Sequence, residues 1–206
     1  WSTQFTGVDR DDRPFTMLFF NSGGMGARPN KDGLSSTAFP SGVMGTPAEI
    51  VEARSPLMMV RREFRTDSGG PGTYRGGLGH WMVIRGVNAG KPYRFSPFFD
   101  RTTNPASGYQ GGKNGAPGVY ELSDGRRPNP KATVWVDPDT DIIMGLPGGG
   151  GYGDPLDRDP QAVRDDVLDE LVSPERARDD YGVVLTPDLE VDWEATNRLR
   201  AERRAG

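Results

Sequence analysis

The chain contains one histidine, His80, and no cysteine among its 206 residues. Transition-metal sites in proteins usually combine several nitrogen or sulfur ligands, so His80 alone cannot form one. The absence of cysteine also excludes disulfides and thiolate ligands, and it fits a reducing compartment. We therefore expect no metal site in this chain, and we expect His80 to be a partly buried strand residue.

The segment Asp67-Ser-Gly-Gly-Pro71 imitates the sequence around a trypsin-like serine nucleophile. That chemistry needs a histidine base and an orienting carboxylate. In the trypsin fold the base precedes the serine, whereas His80 follows Ser68. We interpret the segment as a turn between strands in which glycine supplies positive φ, and we assign no catalytic residue to this chain.

The pattern Gly148-x-Gly150-x-x-Gly153 formally matches a dinucleotide-binding loop. In such loops a strand bends directly into a helix whose N-terminus holds the pyrophosphate. Here Pro147 interrupts the approach, and Asp154 places a negative charge where phosphate would lie. We instead expect a close approach of this backbone to another chain or to a substrate.

Two further clusters have an ordinary structural explanation. Asp137-Pro-Asp-Thr-Asp141 resembles the start of a calcium loop, but the loop's glycine and glutamate positions are filled by Ile142 and Gly148. A turn between strands explains it better. The nearby cations Arg61, Arg62 and Arg65 could bind an anion, although alternating exposed strand arginines are the commoner explanation.

Composition excludes several classes of protein. The formal charge is −4 with no long run of one sign, which argues against nucleic acid as a main partner. No apolar stretch is long enough to span a bilayer, so we expect no membrane association and a cytoplasmic location. Hydrophobic residues make up 34% of the chain, beside 29 glycines and 18 prolines. The core should therefore be small and partly completed by another chain.

The hydrophobic pattern predicts a β-rich body followed by a helical tail. Apolar runs indicate a buried strand at residues 14–21 and further strands at 58–64, 80–85, 118–122, 131–136 and 141–144. Residues 48–54 fit a short helix or a strand, and residues 86–118 are expected to be loops packed by aromatic side chains. A turn at Ser123-Asp-Gly125 suggests that 118–122 and 131–136 form a pair.

The composition changes after Asp154. Asp159-Pro160 and Ser173-Pro174 are favourable helix starts, and Gly182 is a favourable helix end. Val163, Val167 and Leu171 recur at four-residue spacing, and a last helix is predicted from about residue 193 to 204. The predicted fold class is α+β, with a glycine-rich β body at residues 1–155 and a short helical tail at 156–206.

Six segments, taken in order, resemble the C-terminal part of the hydantoinase B/oxoprolinase family. They are Gly23-Gly-Met-Gly-Ala-Arg-Pro-Asn-Lys-Asp-Gly33, Thr46-Pro-Ala-Glu-Ile-Val-Glu-Ala-Arg54, Asp67-Ser-Gly-Gly-Pro-Gly-Thr-Tyr-Arg-Gly-Gly-Leu-Gly79, Gly111-Gly-Lys-Asn-Gly-Ala-Pro-Gly118, Pro147-Gly-Gly-Gly-Gly-Tyr-Gly-Asp-Pro155 and Asp180-Tyr-Gly-Val-Val-Leu185. Each segment is modest, but six in the same order are specific.

The resemblance implies a subunit of a larger enzyme. Family members work with an A-type subunit that binds ATP, and they open cyclic amides such as hydantoins, 5-oxoproline or lactams, or carboxylate ketones such as acetone. The family's metal ligands lie upstream of this region, so the resemblance implies a divalent metal there and no cofactor held by this chain alone. The expected partners are the upstream part of the B-type subunit, which the start at Trp1 without Met also suggests, and the A-type subunit.

Within the matching segments, the glycine loop at residues 23–33 is the predicted substrate-binding element, and the same features equally fit a structural loop at a subunit interface. Its glycines allow backbone amides to approach a ligand, and its cations could offset negative charge. The predicted substrate-binding residues are Gly23, Gly24, Met25, Gly26, Arg28, Lys31 and Asp32. Three functions stay open: part of an ATP-dependent cyclic-amide hydrolase, part of an acetone- or acetophenone-type carboxylase, or a non-catalytic assembly module.

Overall fold

The computed structural model describes residues 1–205, which form two four-stranded antiparallel sheets and four α-helices. The elements in chain order are β1 (Ser2–Val8), β2 (Pro14–Phe20), α1 (Ala48–Arg54), β3 (Met58–Phe64), β4 (His80–Arg85), β5 (Tyr93–Phe98), β6 (Val119–Leu122), β7 (Val134–Val136), β8 (Ile142–Gly145), α2 (Pro160–Leu168), α3 (Pro174–Tyr181) and α4 (Trp193–Ala205). The first sheet has the order β2-β1-β5-β7 and the second β3-β4-β8-β6. This arrangement confirms the α+β class.

The main core lies between the two sheets. Alternation along β1 and β5 turns Phe5 and Phe95 inward, where their ring centroids are 4.8 Å apart. The second sheet contributes Met82 and Ile84 from β4, both completely buried. Aromatic side chains supply much of the cluster, and each buries a large apolar area. A chain with only 34% hydrophobic residues thus closes a continuous core between its own sheets.

Two predictions about the strands were wrong. Residues 86–118 are not all loop, because Tyr93–Phe98 forms β5 in the interior of the first sheet. Pro97 argues against a strand in the sequence, because proline has no amide hydrogen to donate within a sheet. It is tolerated here because β7 pairs with β5 only as far as Phe95 and not beside the proline. The strands β6 and β7 also do not pair with each other: β6 pairs with β8, and β7 pairs with β5 in the other sheet.

The prediction of a buried strand at residues 14–21 was only half right. The strand β2 lies at the edge of the first sheet, where Phe19 is buried but Leu18 and Phe20 are exposed. A continuous apolar run does not distinguish a strand buried on both faces from an edge strand. Its outward apolar side chains leave that face of the sheet available for further packing.

The central glycine segment, residues 147–151, belongs to neither of the two sheets. Its backbone is hydrogen-bonded to three glycine-rich segments, residues 23–27, 68–77 and 107–116. A methyl group built on Gly148 or Gly151 would meet residues 68–71, whereas one on Gly149 would meet Met25. One on Gly150 would meet residues 107–108. Contacts that repeat every third residue are the geometry of a polyproline-II-type helix.

We call residues 147–151 and the three segments bonded to them the glycine cluster. Direct contact between the backbones leaves no room for side chains within it. A Cβ atom at any of the four glycines 148–151 would lie closer than 3.0 Å to backbone atoms of a neighbouring segment. The expected close approach is therefore present, but the backbone that is approached belongs to this chain rather than to another chain or a substrate. In the nearby turn at residues 67–71, Asp67 and not a glycine has positive φ, at 63°.

The helical tail begins and ends as its sequence predicts. Asp159 and Ser173 cap α2 and α3 by accepting hydrogen bonds from backbone amides, and Gly182 ends α3 with φ of 63°. One detail differs: α2 ends at Leu168, so Leu171 lies beyond the helix and Val172 is buried instead. The boundary between body and tail near residue 155 remains a prediction.

We expect Gly149→Ala to destabilise the chain strongly, because the new methyl group would meet backbone that cannot move without breaking the glycine cluster. Overpacking of this kind costs about 1–3 kcal/mol or more. Gly26→Ala is the matched control, since its Cβ would come no closer than 3.8 Å to a neighbour. Chemical denaturation of both variants checks this; equal stability of Gly149→Ala and the parent would show that the segment is a loose linker.

Candidate functional site

The base of the predicted substrate loop is fixed by the glycine cluster. The amide of Gly24 donates to the Pro147 carbonyl at 2.9 Å, and the carbonyl of Met25 accepts from the Gly77 amide at 2.8 Å. The loop returns at Gly33, whose amide donates to the Arg75 carbonyl at 2.8 Å. Because both ends of the loop are bonded to the cluster, its first residues keep a defined position.

Three predicted site residues line a cavity of about 330 Å³, which we call the glycine-loop cavity. Gly23, Gly24 and Met25 form one wall, with Pro147 and Arg101 among the other lining residues. The amide of Gly23 donates to no group in residues 1–205, so it is free to donate to a ligand oxygen. Sequence reasoning missed Arg101, which has a positive φ of 58° that no local pattern announces.

The other predicted site residues do not line this cavity. Arg28 and Lys31 form a small backbone bridge at the exposed tip of the loop. Neither side chain makes an ion pair within residues 1–205, so both cations are available to a ligand or partner. Gly26 also lies outside the cavity wall and has open space beside it.

Asp32 is part of a buried ion cluster that connects the loop to the helical tail. Its carboxylate accepts two hydrogen bonds of 2.7 Å from Arg158, and Arg158 also donates to Asp166 of α2 at 2.8 Å. Burial opposes ionisation of Asp32, but the hydrogen bonds and charge of Arg158, with the Arg75 amide, outweigh it and lower its pKa. Arg75 completes the cluster by donating to Asp166 at 3.1 Å. This geometry gives Asp32 a positioning contact with the tail.

A second cavity of about 310 Å³, the His80 pocket, lies where the edge strands β2 and β3 approach the start of β4. His80 is only 5% exposed, and its Nδ1 atom lies 2.9 Å from the Ser36 hydroxyl. Burial and, secondarily, the charges of Arg62 and the amino terminus lower the pKa of His80 to about 4. The ring is therefore neutral at pH 7. Nothing in the sequence connects Ser36 with His80, 44 residues away.

The three strand arginines differ in their surroundings. Arg61 pairs with Glu63, and Arg62 donates to the Thr46 carbonyl at 2.6 Å. Arg65, which we expected to be exposed, is half-buried because it donates to the carbonyls of Pro117 and Leu146. Of these cations, Arg62 is the one that borders the His80 pocket.

Within residues 1–205, no cluster of three histidine, cysteine, aspartate or glutamate side chains could hold a metal ion. None of the helices in that range is both long and apolar enough to cross a membrane.

The β body that contains the glycine cluster matches a known protein family. Residues 1–155 match the family described as Hydantoinase B/oxoprolinase, and the chain belongs to that family. Among its relatives, it is 32% identical over 185 residues to the B subunit of a putative D-/L-hydantoinase of Pseudomonas sp. strain NS671, which covers 86% of this chain and 31% of the relative. It is 32% identical to the caprolactamase beta subunit of Pseudomonas jessenii, with 77% of this chain and 28% of the relative covered.

Solved structures agree with these relatives. The ATP-dependent caprolactamase from Pseudomonas jessenii superposes with a TM-score of 0.83 at 29% identity, covering 97% of this chain and 37% of that one. Nucleotide-free acetone carboxylase superposes with a TM-score of 0.84 at 28% identity, covering 99% of this chain and 32% of that one. The chain therefore spans about a third of the length of the proteins it matches.

We expect the neutral state of His80 to make stability depend on pH. The folded-state pKa of about 4 lies below the ordinary value of 6.5, so the unfolded chain binds the extra proton first as the pH falls. The free energy of unfolding should drop between pH 6.5 and pH 4 by up to about 3 kcal/mol through this residue. Denaturation of the parent and of His80→Gln across that range tests this. A parent and a variant with the same pH slope would contradict it.

Proposed function

We propose that this chain is the C-terminal part of a B-type subunit in an ATP-dependent enzyme that hydrolyses cyclic amides. The family match over residues 1–155 carries the proposal. The names of relatives point the same way: the B subunit of a hydantoinase, the beta subunit of a caprolactamase and 5-oxoprolinase 1 of Arabidopsis thaliana. Hydantoin, caprolactam and 5-oxoproline are all cyclic amides, so the common substrate class is a ring containing an amide bond.

The role of this chain in such a reaction is to shape the substrate region. ATP, bound by an A-type partner, would supply a phosphoryl group that makes the amide carbonyl a better electrophile. Gly23, whose amide donates to no group within residues 1–205, lines the glycine-loop cavity at the fixed base of the loop. A preorganised amide can donate to an oxygen on which negative charge develops, without reorganising during the reaction. Arg28 and Lys31 at the loop tip would favour anionic substrate or nucleotide groups.

The remaining parts of the enzyme are assigned to other chains or regions. We expect the partners to be the upstream part of the B-type subunit and an A-type subunit that binds ATP. The divalent metal belongs to that upstream region in this proposal. Relatives described as subunits support a heteromeric enzyme. The absence of cysteine is consistent with work in the cytoplasm.

A carboxylase is the second candidate function. The chain is 30% identical over 225 residues to the acetone carboxylase alpha subunit of Xanthobacter autotrophicus strain Py2, and acetone carboxylase superposes over 99% of it. Activation of a carbonyl oxygen by phosphorylation serves both reactions, so the same loop geometry suits either. A comparison of 5-oxoproline, hydantoin and caprolactam with acetone plus bicarbonate, using the assembled enzyme, separates the two functions.

We expect the isolated chain to show no ATP-dependent turnover of cyclic amides or ketones, because no described group of its side chains forms a catalytic set. It should also associate permanently with the upstream part of the subunit. Apolar side chains such as Leu18 and Phe20 are exposed on this chain, and permanent interfaces bury large core-like areas. Size-exclusion chromatography and activity assays, with and without the partners, measure both properties. Turnover by the rigorously purified chain would refute this assignment.

We expect Arg28→Gln combined with Lys31→Gln to raise the KM of the assembled enzyme by at least about tenfold, because a lost hydrogen bond to a charged group costs roughly 1.5–3 kcal/mol. Lys91→Gln is the control, since Lys91 is an exposed lysine in an ion pair with Asp12 and lies outside the loop. Steady-state kinetics for ATP and for the amide show which ligand the tip contacts. An unchanged KM for both would mean that the loop tip does not reach the active site.

A further inference from the structure

The His80 pocket has the features of a binding site that the proposed reaction does not use. Its volume of about 310 Å³ is at the small end of the range for ligand sites. The lining combines apolar and polar side chains, among them Phe20, Asn21, Ser36, Val43, Arg62, Phe64 and His80. The other lining residues are Ser22, Gly45 and Glu63, and the Glu63 carboxylate is paired with Arg61. Such a mixture suits a small ligand that has an apolar body and a polar end.

The most informative residue is His80, because one of its nitrogens is buried without a partner. The Nε2 atom makes no hydrogen bond within residues 1–205, although unpaired buried polar groups are rare in folded proteins. Its other nitrogen lies 2.9 Å from the Ser36 hydroxyl. When that hydroxyl donates to Nδ1, the ring carries its proton on Nε2, and this donor has no acceptor within residues 1–205.

The backbone conformation of Ser36 is energetically unfavourable, which supports a functional role for the Ser36–His80 hydrogen bond. Ser36 has a φ of 46°, a left-handed conformation that is uncommon for residues other than glycine. Its amide donates to the Leu78 carbonyl at 2.9 Å, which holds the loop beside β4. The fold thus keeps a strained residue in place with its hydroxyl against the imidazole.

A positive charge completes the pocket. Arg62 borders it, and no carboxylate within residues 1–205 forms an ion pair with this guanidinium. Its neighbour Arg61, by contrast, pairs with Glu63. Phe64 lies directly opposite His80 in the β3–β4 pairing and is 52% exposed, so it offers an apolar wall beside the two polar groups.

We propose that the His80 pocket binds a small apolar carboxylate. Arg62 binds the carboxylate, His80 Nε2 donates a hydrogen bond to an oxygen of the same ligand, and the apolar body packs on Phe64, Phe20 and Val43. A neutral imidazole is the state that can be buried here without a counter-charge, and the low pKa of His80 agrees with that. The His80 pocket adjoins the glycine-loop cavity and shares Asn21 and Ser22 with it, but ligand binding there can be measured without turnover and so is tested independently of the proposed reaction.

Phenylacetate is a suitable probe, and the single histidine provides a direct signal. The full 206-residue chain is labelled with [15N]histidine, and any partner subunits purified with it stay unlabelled. We expect phenylacetate to shift the Nε2 resonance saturably. Phenylacetamide, which lacks the charge, and acetate, which lacks the apolar body, should each bind at least tenfold more weakly.

The two adjacent arginines provide matched variants. Arg62→Gln should weaken phenylacetate binding at least tenfold, Arg62→Lys should retain part of it, and Arg61→Gln should leave it unchanged. Both side chains are exposed. Arg62→Gln also removes a hydrogen bond to the Thr46 carbonyl, so a thermal melt of each variant checks that the fold is retained. The proposal is overturned if phenylacetate does not shift the His80 signal, if phenylacetamide or acetate binds equally well, or if Arg61→Gln and Arg62→Gln have equal effects.

Discussion

Backbone-to-backbone contact around residues 147–151 is the constraint on which the rest of this structure depends. Four consecutive glycines let one extended segment touch three others, with a three-residue repeat that no side chain would permit. The contacts are accompanied by amide–carbonyl hydrogen bonds, in which the amides of Gly148, Gly149 and Gly151 donate to the neighbouring segments. The two sheets are therefore only part of the scaffold. A third, glycine-based unit connects loops from distant parts of the chain.

This unit explains how a loop rich in glycine can be a defined site. The segment at residues 23–27 would be flexible by composition, yet its amides and carbonyls are bonded to residues 77, 147 and 150. Its far end is held by Asp32, which connects it through Arg158 to the tail. Arg158 binds both oxygens of Asp32 and is itself buried against Asp166, so the tail anchors this end of the loop. Several relatives of the chain are described as enzyme subunits.

Predictions from the sequence were correct where interactions between neighbouring residues determine the structure. They failed where contacts between distant segments determine it. Helix starts at Asp159 and Ser173 were correct because capping acts within one turn. The strand at Tyr93–Phe98 was missed because Pro97 argues against a strand. The proline is tolerated only because β7 pairs with this strand no further than Phe95. The glycine loop was singled out from its residues, but the pairing of Ser36 with His80 and the cavity wall at Arg101 arise from contacts between distant segments. No spacing in the sequence encodes such contacts.

Hydrogen exchange of the backbone amides tests the central claim most directly. If residues 147–151 pack as a structural core, the amides of Gly77, Gly149 and Gly151, all bonded within the cluster, should exchange as slowly as those of β4 and open with them in one cooperative unit. Gly42 and Gly125, where an added methyl group would meet nothing within 4 Å, provide the contrast of glycines in exposed turns. Exchange of the cluster amides at the rate of those turn regions would contradict the account, because the glycine segments would then be loops without a shared core.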